Sequence, residues 1–541
     1  MSFSSPYPDV DIPATSVHDY LFGGIDDDDM DRVALVDAKT CAQTSYRELL
    51  TRIDLFAGAL AERGIGVGDV VGLLSPNSSA FAVAFHGILR AGATATTING
   101  LATADETTKQ LSDSHARMLI TVAPLLERAQ KAAVAVGLSD ADVVVLDGAG
   151  LGADGATGGH PSGADLLGAG RQAPQVSFDP ATHLAVLPYS SGTTGNPKGV
   201  MLTHRNLVAN VAQMLPMLPM TADDKILAVL PFFHIYGMTA LLNGALRARS
   251  RLIVMPAFDL DDFLANIQNY RCTIVFIAPP IAMALAKHPL VGSYDLSSLQ
   301  TVVSAAAPLD EELGHAVAER LGCRVVQGYG MSELSAVSHA IPPDGGEHPF
   351  GKVAPLSSCG WTVPNAQSKI VDPETGAEIG IPDHGRSAAG ELWFRGPNVM
   401  AGYLGNEQAT AQTIDVDGFL HTGDLACVDA NGCVYIVDRL KELIKYKGYQ
   451  VPPAELEALL LTHPSIADAA VIGVADESGQ EIPKAFVVKQ SGAELTAAEV
   501  MDFVAGHVAP YKKVRQVEFI DAIPKSASGK ILRKDLRARV D

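Results

Sequence analysis

The segment from Tyr189 to Val200 combines residue types that can bind a polyanion. It reads Tyr-Ser-Ser-Gly-Thr-Thr-Gly-Asn-Pro-Lys-Gly-Val, and its polar and glycine positions include Ser190, Ser191, Gly192, Thr193, Thr194, Gly195 and Lys198. Glycines let the backbone approach a bulky anion, so that N–H groups and hydroxyls can donate hydrogen bonds to phosphate oxygens. The spacing differs from the Gly-x-x-x-x-Gly-Lys-Ser/Thr of a P-loop. A flexible linker is the alternative interpretation, but linkers seldom lie between two apolar, strand-like segments.

Further segments with chemically useful residues follow along the chain. They are Pro-Phe-Phe-His-Ile-Tyr-Gly-Met at 231–238, Ser-Ala-Ala-Ala-Pro at 304–308, Gln-Gly-Tyr-Gly-Met-Ser-Glu at 327–333, Tyr403, His-Thr-Gly-Asp at 421–424, Asp438-Arg439, Lys-Tyr-Lys-Gly at 445–448 and Lys530. One such motif alone discriminates poorly. In this order they resemble the acyl-adenylate-forming enzymes, and most closely the 4-coumarate–CoA ligase group with its bacterial cinnamate- and fatty-acid-activating relatives and beetle luciferase.

The resemblance implies an ATP-dependent acid–CoA ligase. A carboxylate would attack the α-phosphate of ATP to give an acyl-AMP, and the thiol of CoA would then displace AMP to give a thioester. The expected cofactors and co-substrates are ATP, Mg²⁺ and CoA, and the substrate is a small carboxylic acid. Because carboxylate and phosphate are both anions, positive charge has to be placed between them.

The resemblance also assigns roles to individual residues. Lys530, His234 and Lys445 would be catalytic, Glu333 and Thr194 would bind the metal, and Lys447 and Gly448 would bind CoA. Besides the residues of the first segment, those expected to bind ATP or AMP are Ala306, Gln327, Gly328, Tyr329, Gly330, Ser332, Asp424, Arg439 and Lys441. Those expected to line the acyl pocket are His234, Tyr236, Ala240, Val303, Ala305, Gly328, Gly330, Ala336 and Val337.

Taken singly, several of these residues have simpler interpretations. Glu333 could be a surface acid near a turn, and Tyr329 could be a core aromatic. Asp424 and Arg439 could form a plain salt bridge. His234 could be a satisfied interior histidine, and Lys530 a solvated loop lysine like most lysines.

The sequence departs from the family pattern near the expected acyl pocket. Ala305 replaces a common glycine, and Leu-Ser-Ala-Val at 334–337 replaces the plant pattern Ala-Gly-Pro-Val, whereas Ser332 keeps the hydroxyl of the usual threonine. The lining is mainly small or apolar, so the acid should be aromatic or aliphatic rather than charged. A difference of one methyl reorders similar acids by about 1–3 kcal/mol but does not identify one.

The elements that must position these residues alternate between strand and helix. The patterns predict strands at 70–74, 94–98, 184–187, 225–230 and 273–277, and helices at 78–90, 259–269 and 311–321. Continuous apolar strands alternating with helices predict an α/β fold with parallel sheets that are covered on both faces. Between Trp361 and Tyr435 short, turn-rich strands predict a small antiparallel barrel or sheet.

The expected domains are a large N-terminal adenylation domain at 1–437, whose barrel-like part is about 350–437, a hinge at 438–447 and a small α+β lid at 448–541. A helix should start near Pro452-Pro453. The resemblance implies that the lid rotates about Lys441, so that Lys530 serves the first half-reaction and Lys445, Lys447 and Gly448 the second. The acidic run Asp26–Asp29 favours a solvated, mobile loop over a metal site, and 148–170 should be a surface loop.

Composition limits the partners. The chain has 541 residues, 47% hydrophobic and 19% charged, and its formal net charge of −21 argues against nucleic acids and anionic membranes. The six cysteines are scattered, and free thiols are expected even for Cys427 and Cys433, which flank a turn. No signal peptide, peroxisomal address or apolar run of about 20 residues is evident. The protein is therefore expected in the cytoplasm, as a monomer or homodimer.

Other functions remain as alternatives at this point. An adenylating enzyme that loads the phosphopantetheine arm of a carrier protein would use the same motifs, because the arm presents the same thiol as CoA. A luciferase-like oxygenase would need luciferin, of which the sequence gives no sign. A catalytically inactive nucleotide-binding scaffold should have lost Lys530, Asp424 or Glu333, and all three are present.

Overall fold

The computed structural model describes residues 2–146, 157–190, 197–342, 354–446, 449–476, 481–526 and 529–540. Ser191, Gly192, Thr193, Thr194, Gly195, Lys447 and Gly448 lie outside the described residues.

The first α/β sheet has five parallel strands, extended by three antiparallel ones. In sheet order its strands are Gly402–Tyr403, Lys198–Thr203, Leu184–Val186, Thr94–Thr97, Val70–Leu73, Ala116–Val122 and Val143–Leu146, with Tyr189–Ser190 also paired to Lys198–Thr203. The parallel pairing confirms the sheet type that the apolar strands predict.

The second α/β sheet has six parallel strands at its centre. In sheet order its strands are Trp361–Thr362, His339–Ala340, Arg324–Tyr329, Thr301–Ser304, Ile274–Ile277, Lys225–Ala228, Arg251–Val254, Val33–Asp37 and Gln43–Ser45. Pairing is parallel from Arg324–Tyr329 through Val33–Asp37. Parallel strands present all their carboxyl ends at one edge, and open α/β sheets bind ligands there.

The third sheet is the antiparallel unit predicted after Trp361. Its strands are Phe3–Ser4, Gln367–Val371, Gly390–Arg395, Leu420–Val428 and Val434–Arg439, with Glu378–Ile379 paired to Gln367–Val371. The C-terminal region has its own hairpin, Ile444–Tyr446 with Tyr449–Val451, and a three-stranded sheet of Ile466–Ala475, Glu481–Lys489 and Gln516–Phe519. It also has an apolar core of its own, formed around Leu456, Val471 and Val487.

Helices cover the sheets and begin where side chains can cap them. Ser78 caps the helix that starts at Ser79, and Asp259 caps the one that starts at Leu260. The α-helices are Val17–Phe22, Asp27–Met30, Tyr46–Glu62, Ser79–Arg90, Ala104–Asp113, Leu126–Ala135, Gly163–Gly168, His204–Met214, Gly244–Arg247, Leu260–Tyr270, Pro279–Lys287, Glu311–Leu321, Glu407–Thr413, Pro453–Thr462, Ala497–His507 and Arg533–Arg537. A π-helix spans Tyr236–Asn243, and 3₁₀ turns span Ala123–Leu125, Asp140–Asp142, Pro289–Ser293, Ser332–Leu334 and Pro510–Lys512.

Two loop predictions are wrong in part, and residues 148–156 of the first, the segment 148–170, lie outside the described residues. Gly163–Gly168 is a short helix, because Ser162 and Asp165 form a capping box that overcomes the glycine-rich composition. The acidic run forms the helical turn Asp27–Met30, capped by the Asp26 carboxylate. Asp29 also pairs with Arg32 at 3.8 Å and with Arg249 at 3.9 Å, which fixes the turn.

The described part of the chain shows neither a disulfide at Cys427 nor a membrane-spanning helix. Cys427 is a free thiol there, so it forms no disulfide with Cys433. Among the described residues, no helix combines the length and the apolar character needed to cross a membrane.

Buried histidines make stability depend on pH. His86 is fully buried against the rings of Phe22 and Phe85, and burial lowers its pKa to about 3. The pKa in the folded state is therefore below the unfolded value of about 6.5, and the unfolded chain binds more protons between these values. Stability from this group is complete above pH 6.5 and falls as the pH decreases towards 3.

We expect His86→Leu to reduce the loss of stability in acid. Between pH 7 and pH 5, His86 alone should lower the free energy of unfolding by about 2 kcal/mol. Urea titrations at both pH values should therefore show a loss about 2 kcal/mol smaller in the variant than in the wild type. An identical pH-dependent loss in both proteins would contradict this account of His86.

Candidate active site

The strand pairing gathers the predicted nucleotide residues at neighbouring strand ends. Ala305 and Ala306 follow the strand Thr301–Ser304, and Gln327, Gly328 and Tyr329 end the adjacent parallel strand. In the first sheet, Ser190 and Lys198 are directly paired on antiparallel strands. These pairings place Ser190 beside Lys198, and Ala306 beside the Gln327–Tyr329 end.

Asp424 is the centre of a buried polar group. Its carboxylate accepts a hydrogen bond of 2.5 Å from the Tyr329 hydroxyl and lies 3.4 Å from Nε of Arg439, which pairs with it across two antiparallel strands. Burial raises the pKa of Asp424, while Arg439 and the Tyr329 hydrogen bond oppose this change. A buried carboxylate held in this way is placed to accept the hydroxyls of a ribose.

Glu333 lies on the 3₁₀ turn Ser332–Leu334 and is 6% exposed. Its Oε1 accepts a hydrogen bond of 2.9 Å from the hydroxyl of Tyr403. Within the described ranges no three metal-ligating side chains cluster, and Glu333 is the carboxylate that the sequence predicts as a ligand. This carboxylate fits Mg²⁺, which is commonly bound by one or two carboxylates together with substrate phosphates.

Lys530 reaches the same region from the C-terminal part of the chain. Burial and the nearby Arg439 lower its pKa to about 8, and Glu442, Asp424 and Glu333 oppose this change. The loop that carries Lys530 is closed by hydrogen bonds with Ser526, 2.8 Å between Ser526 N and Lys530 O and 3.1 Å between Lys530 N and the Ser526 hydroxyl. The structure thus brings the predicted catalytic lysine to the predicted nucleotide and metal residues.

The other lysines of the prediction are placed differently. Lys445 is exposed on the hairpin strand Ile444–Tyr446, and its N–H donates to Glu481 at 2.7 Å. Lys441 is exposed in the turn before this strand. Of the described lysines predicted for the C-terminal region, Lys441 and Lys445 are exposed, and Lys530 lies near Asp424 and Glu333.

Six of the nine residues predicted for the acyl pocket belong to the large apolar core of the N-terminal region. They are Tyr236, Ala240, Val303, Ala305, Ala336 and Val337. The Tyr236 hydroxyl donates to the carbonyl of Val303 at 3.4 Å. Burial and the charge of Lys530 lower the pKa of His234 to about 4, so its imidazole is neutral at pH 7. These six predicted acyl residues are therefore buried among apolar side chains, and the imidazole of His234 is neutral.

Gly330 is required by a close backbone contact. A Cβ at this position would lie 1.5 Å from the carbonyl oxygen of Ala336, which itself has a φ of 117°. A Cβ on Gly328 would lie 3.4 Å from the carbonyl oxygen of His339. A side chain is therefore excluded at Gly330, whereas a methyl group at Gly328 would make an ordinary van der Waals contact.

We expect Gly330→Ala to destabilise the protein by about 1–3 kcal/mol, because the backbone of Ala336 must move. Gly328→Ala should leave the thermal midpoint close to that of the wild type. Calorimetry on both variants provides the comparison. Equal midpoints for Gly330→Ala and the wild type would show that the two backbone segments can separate without loss.

Two predicted nucleotide residues have distinctive local roles. The side chain of Gln327 binds both the N–H and the carbonyl of Leu309, at 2.9 and 3.0 Å, and also donates to the carbonyl of Leu356. It therefore fixes the loop that contains Ala306. Ala306 has a φ of 74°, a conformation that is uncommon for alanine and is often found at functional sites.

Two buried asparagines support the site, and no sequence pattern marks them. Asn210 accepts from the N–H of Val337 at 3.0 Å and donates to its carbonyl at 2.6 Å. Asn77 accepts from the N–H of Phe232 at 2.7 Å and donates to the carbonyl of Leu230 at 2.9 Å. Each amide fixes a segment that carries predicted acyl-pocket residues.

A cavity of about 620 Å³ lies beside the segment that carries His234. Pro231 and Phe233 line it, together with Gly100, Phe258, Pro280 and Gly529. None of the predicted acyl-pocket residues is among its lining residues. The cavity is therefore lined by residues other than those predicted for the acyl pocket, although two of its lining residues belong to the same 231–238 segment.

Comparisons with known proteins agree with this geometry. Residues 26–404 match the family model of AMP-binding enzymes, and residues 455–530 match that of the AMP-binding enzyme C-terminal domain. The chain is similar to 4-coumarate–CoA ligase of Vanilla planifolia, with 43% identity over 99% of this chain and 96% of the relative. It is 41% identical to 4-coumarate–CoA ligase 4 of Arabidopsis thaliana, over 100% of this chain and 94% of the relative.

Solved structures with a similar fold cover nearly the whole chain. An anthranilate CoA ligase in complex with anthranoyl-AMP has a TM-score of 0.85 at 26% identity, covering 97% of both chains. A benzoate CoA ligase from Burkholderia xenovorans LB400 has a TM-score of 0.84 at 26% identity, covering 97% of this chain and 100% of that one. ATP-bound MatB from Rhodopseudomonas palustris has a TM-score of 0.85 at 29% identity, with coverage of 97% and 99%.

Proposed function

The chain belongs to the AMP-binding enzyme family as an AMP-forming acid–CoA ligase, and we propose that its acid is aromatic and cinnamate-like. Full-length similarity to enzymes named 4-coumarate–CoA ligase supports this choice over a fatty acid. Tyr236, Ala240 and Val337 are buried and mainly small or apolar, which suits a planar ring. Ala305 and the 334–337 segment differ from the family pattern, so the preferred ring substituents can differ too.

The observation that carries the proposal is the convergence of Lys530, Asp424, Arg439 and Glu333 at one place. Asp424 with Arg439 would bind the ribose, and Glu333 would hold Mg²⁺, which when bound supplies positive charge to phosphate oxygens. The ammonium of Lys530 would lie between the attacking carboxylate and the α-phosphate. Its charge would stabilise the negative charge that develops in the transition state.

His234 would border the carboxyl end of the acid. Its imidazole is neutral because burial and Lys530 lower its pKa to about 4. A neutral imidazole fits next to a charged ammonium without repulsion and can donate or accept one hydrogen bond. It would orient the carboxylate towards the α-phosphate while Tyr236 closes the pocket behind it.

We propose that the domains divide at a hinge within 438–447, with an adenylation domain at 1–437 and a lid at 448–541. The ion pairs of Arg533 indicate that the lid would rotate about a residue before Glu442. Its guanidinium pairs with Glu442 and Glu457 at 2.7 Å each, and all three side chains are about 10% exposed. This buried network attaches Glu442 to the lid, so that rotation would occur at Lys441 or just before it.

Rotation would exchange the lysines at the site. In the described lid position the site holds Lys530, and Lys445 is exposed. A second position would present Lys445, Lys447 and Gly448 to the acyl-AMP. The Asp438 carboxylate, on a strand of the third sheet, accepts from the N–H of Ala454 in the lid at 2.9 Å, a contact that rotation would break.

We propose that the cavity beside His234 is the path by which the pantetheine arm of CoA reaches the acyl-AMP. Pro231 and Phe233, from the segment that carries His234, line it, and three lid residues also form part of its lining, namely Lys525, Ser526 and Gly529. Lid rotation would therefore widen it after adenylation. Its apolar lining suits the uncharged arm.

Gly100→Phe should block this path without affecting adenylation. A Cβ at Gly100 would have no atom within 4 Å, and Gly100 lines the cavity, so there is room for a larger side chain to begin there. We expect the KM for CoA to rise about tenfold, which corresponds to about 1.4 kcal/mol of lost binding. Acid-dependent exchange of pyrophosphate into ATP should stay unchanged. Gly168→Phe, at an exposed position with similar space, is the control, and an unchanged KM for CoA in Gly100→Phe would exclude this path.

We also propose that the protein acts in the cytoplasm. Burial raises the pKa of the thiols of Cys272 and Cys359, and both are free. Unoxidised thiols are typical of reducing compartments. Fractionation of the source cells with an antibody against the protein would test this location.

A mass-spectrometric product screen tests the substrate proposal. Purified protein would be incubated with Mg²⁺, ATP and CoA and with cinnamates, benzoates or fatty acids of graded length. We expect acyl-CoA and AMP with cinnamates at the highest kcat/KM. A preference for fatty acids would overturn the aromatic assignment, and acyl-AMP that accumulates without reacting with CoA would point to a carrier-protein acceptor.

A further inference from the structure

Tyr403 contacts two predicted substrate-binding residues that lie far apart in the sequence. Its hydroxyl donates to Oε1 of Glu333 at 2.9 Å, and the ammonium nitrogen of Lys198 lies 4.6 Å from the centroid of its ring. Tyr403 is 7% exposed and Glu333 6%, so water has little access to the hydrogen bond. One side chain therefore joins the carboxylate and the ammonium.

The backbone around Tyr403 makes the same connection. The strand Gly402–Tyr403 pairs with the strand that begins at Lys198, with Tyr403 opposite Val200. On either side, the N–H of Leu404 donates to the carbonyl of Gly199 at 2.8 Å, and the N–H of Met400 donates to the carbonyl of Glu333 at 2.9 Å. The segment 400–404 therefore spans the distance between the two residues and fixes the position of the tyrosine ring.

We propose that Tyr403 is a positioning residue that orients the Glu333 carboxylate and the Lys198 ammonium for binding of magnesium and the phosphates of ATP. The inference rests on the proposed function, because Glu333 and Lys198 act on metal and phosphate only if ATP binds here. A phenol donates one hydrogen bond, so it fixes Oε1 and selects one rotamer of the carboxylate. The face of the ring attracts the ammonium and limits where the long lysine side chain can go.

The two contacts can be separated by substitution. Tyr403→Phe removes the hydrogen bond to Glu333 and keeps the ring beneath Lys198. Tyr403→Leu removes both contacts. A hydrogen bond to a charged group accounts for about a tenfold change in an equilibrium constant, so Tyr403→Phe should raise about tenfold the Mg²⁺ concentration for half-maximal pyrophosphate exchange. The KM for ATP at saturating Mg²⁺ should rise in Tyr403→Leu and much less in Tyr403→Phe.

A binding measurement complements the exchange assay. Calorimetric titration with the α,β-methylene analogue of ATP, at several Mg²⁺ concentrations, reports the metal dependence of nucleotide affinity without turnover. Tyr403→Phe should need about tenfold more Mg²⁺ to reach the affinity of the wild type. The matched control is Tyr435→Phe, which loses a phenol–carboxylate hydrogen bond of the same length, 2.9 Å to Asp429. Tyr435 lies on the strand Val434–Arg439, at the end opposite to Arg439.

The outcomes separate this inference from the proposed function. If the wild type exchanges pyrophosphate but Tyr403→Phe and Tyr435→Phe have the same Mg²⁺ dependence as the wild type, the positioning role is wrong. Equal shifts in both variants would indicate general destabilisation and would also overturn it. If the wild type shows no acid-dependent exchange with any aromatic acid, the proposed function itself fails.

Discussion

Lys530→Ala should lower the rate of acyl-AMP formation by a factor of about 10²–10³. Removing one preorganised donor from a site that stabilises developing negative charge costs about 3–4 kcal/mol in the transition state. The structure places this ammonium where burial and Arg439 lower its pKa to about 8, while Asp424, Glu442 and Glu333 favour its charged form. The phosphates of ATP would add negative charge nearby and favour the cation further.

The loss should be confined to one half-reaction. Acid-dependent exchange of pyrophosphate into ATP measures adenylation, and conversion of synthetic acyl-AMP to acyl-CoA measures the second step. We expect Lys530→Ala to retain the second step within a few-fold, because Lys445 and its neighbours would serve it. Lys534→Ala, an exposed lysine four residues further along the chain, is the control and should retain both steps. Equal losses in both steps would contradict the division of labour.

Asp424→Asn should raise the KM for ATP about thirtyfold. An amide offers one oxygen where the carboxylate offers two, so one hydrogen bond of about 2 kcal/mol to the ribose is lost. The buried carboxylate is already oriented by the Tyr329 hydroxyl and by Arg439, and the variant would weaken both contacts. The effect should fall on nucleotide binding rather than on binding of the acid.

Deoxynucleotides identify the interaction. The wild type should use 2′-deoxy-ATP and 3′-deoxy-ATP much less well than ATP, whereas Asp424→Asn should discriminate less against at least one of them. Asp429→Asn removes a buried carboxylate at the other end of the same two strands and is the control for stability. If Asp424→Asn discriminates against both deoxynucleotides as strongly as the wild type does, the ribose does not bind at Asp424.

Much of the fold could be predicted from the local pattern. The helix at 311–321 has the predicted bounds, and the predicted strands at 70–74 and 94–98 each end one residue earlier. Apolar strands that alternate with helices need burial on both faces, which selects a parallel sheet. The glycine-rich composition of 163–168 predicts a loop, but the capping box of Ser162 and Asp165 stabilises a short helix there.

The support of the site depends on contacts between distant segments, which spacing alone does not reveal. Asn210 binds Val337 across 127 residues, and Tyr403 binds Glu333 across 70. Nothing near Asn210 in the sequence distinguishes it from a surface amide on a helix. The motifs therefore predict the residues expected to touch the substrates, and the residues that hold these in place emerge from the packing.

Oxygen-18 transfer tests the central claim most directly. The acid would be labelled with ¹⁸O in its carboxylate and converted to its CoA thioester with Mg²⁺ and ATP, and the nucleotide product would be analysed by mass spectrometry. Attack of the carboxylate on the α-phosphate, followed by displacement by the thiol, predicts AMP that carries one ¹⁸O atom. Unlabelled AMP, or ADP with the label in inorganic phosphate, would contradict the acyl-AMP route.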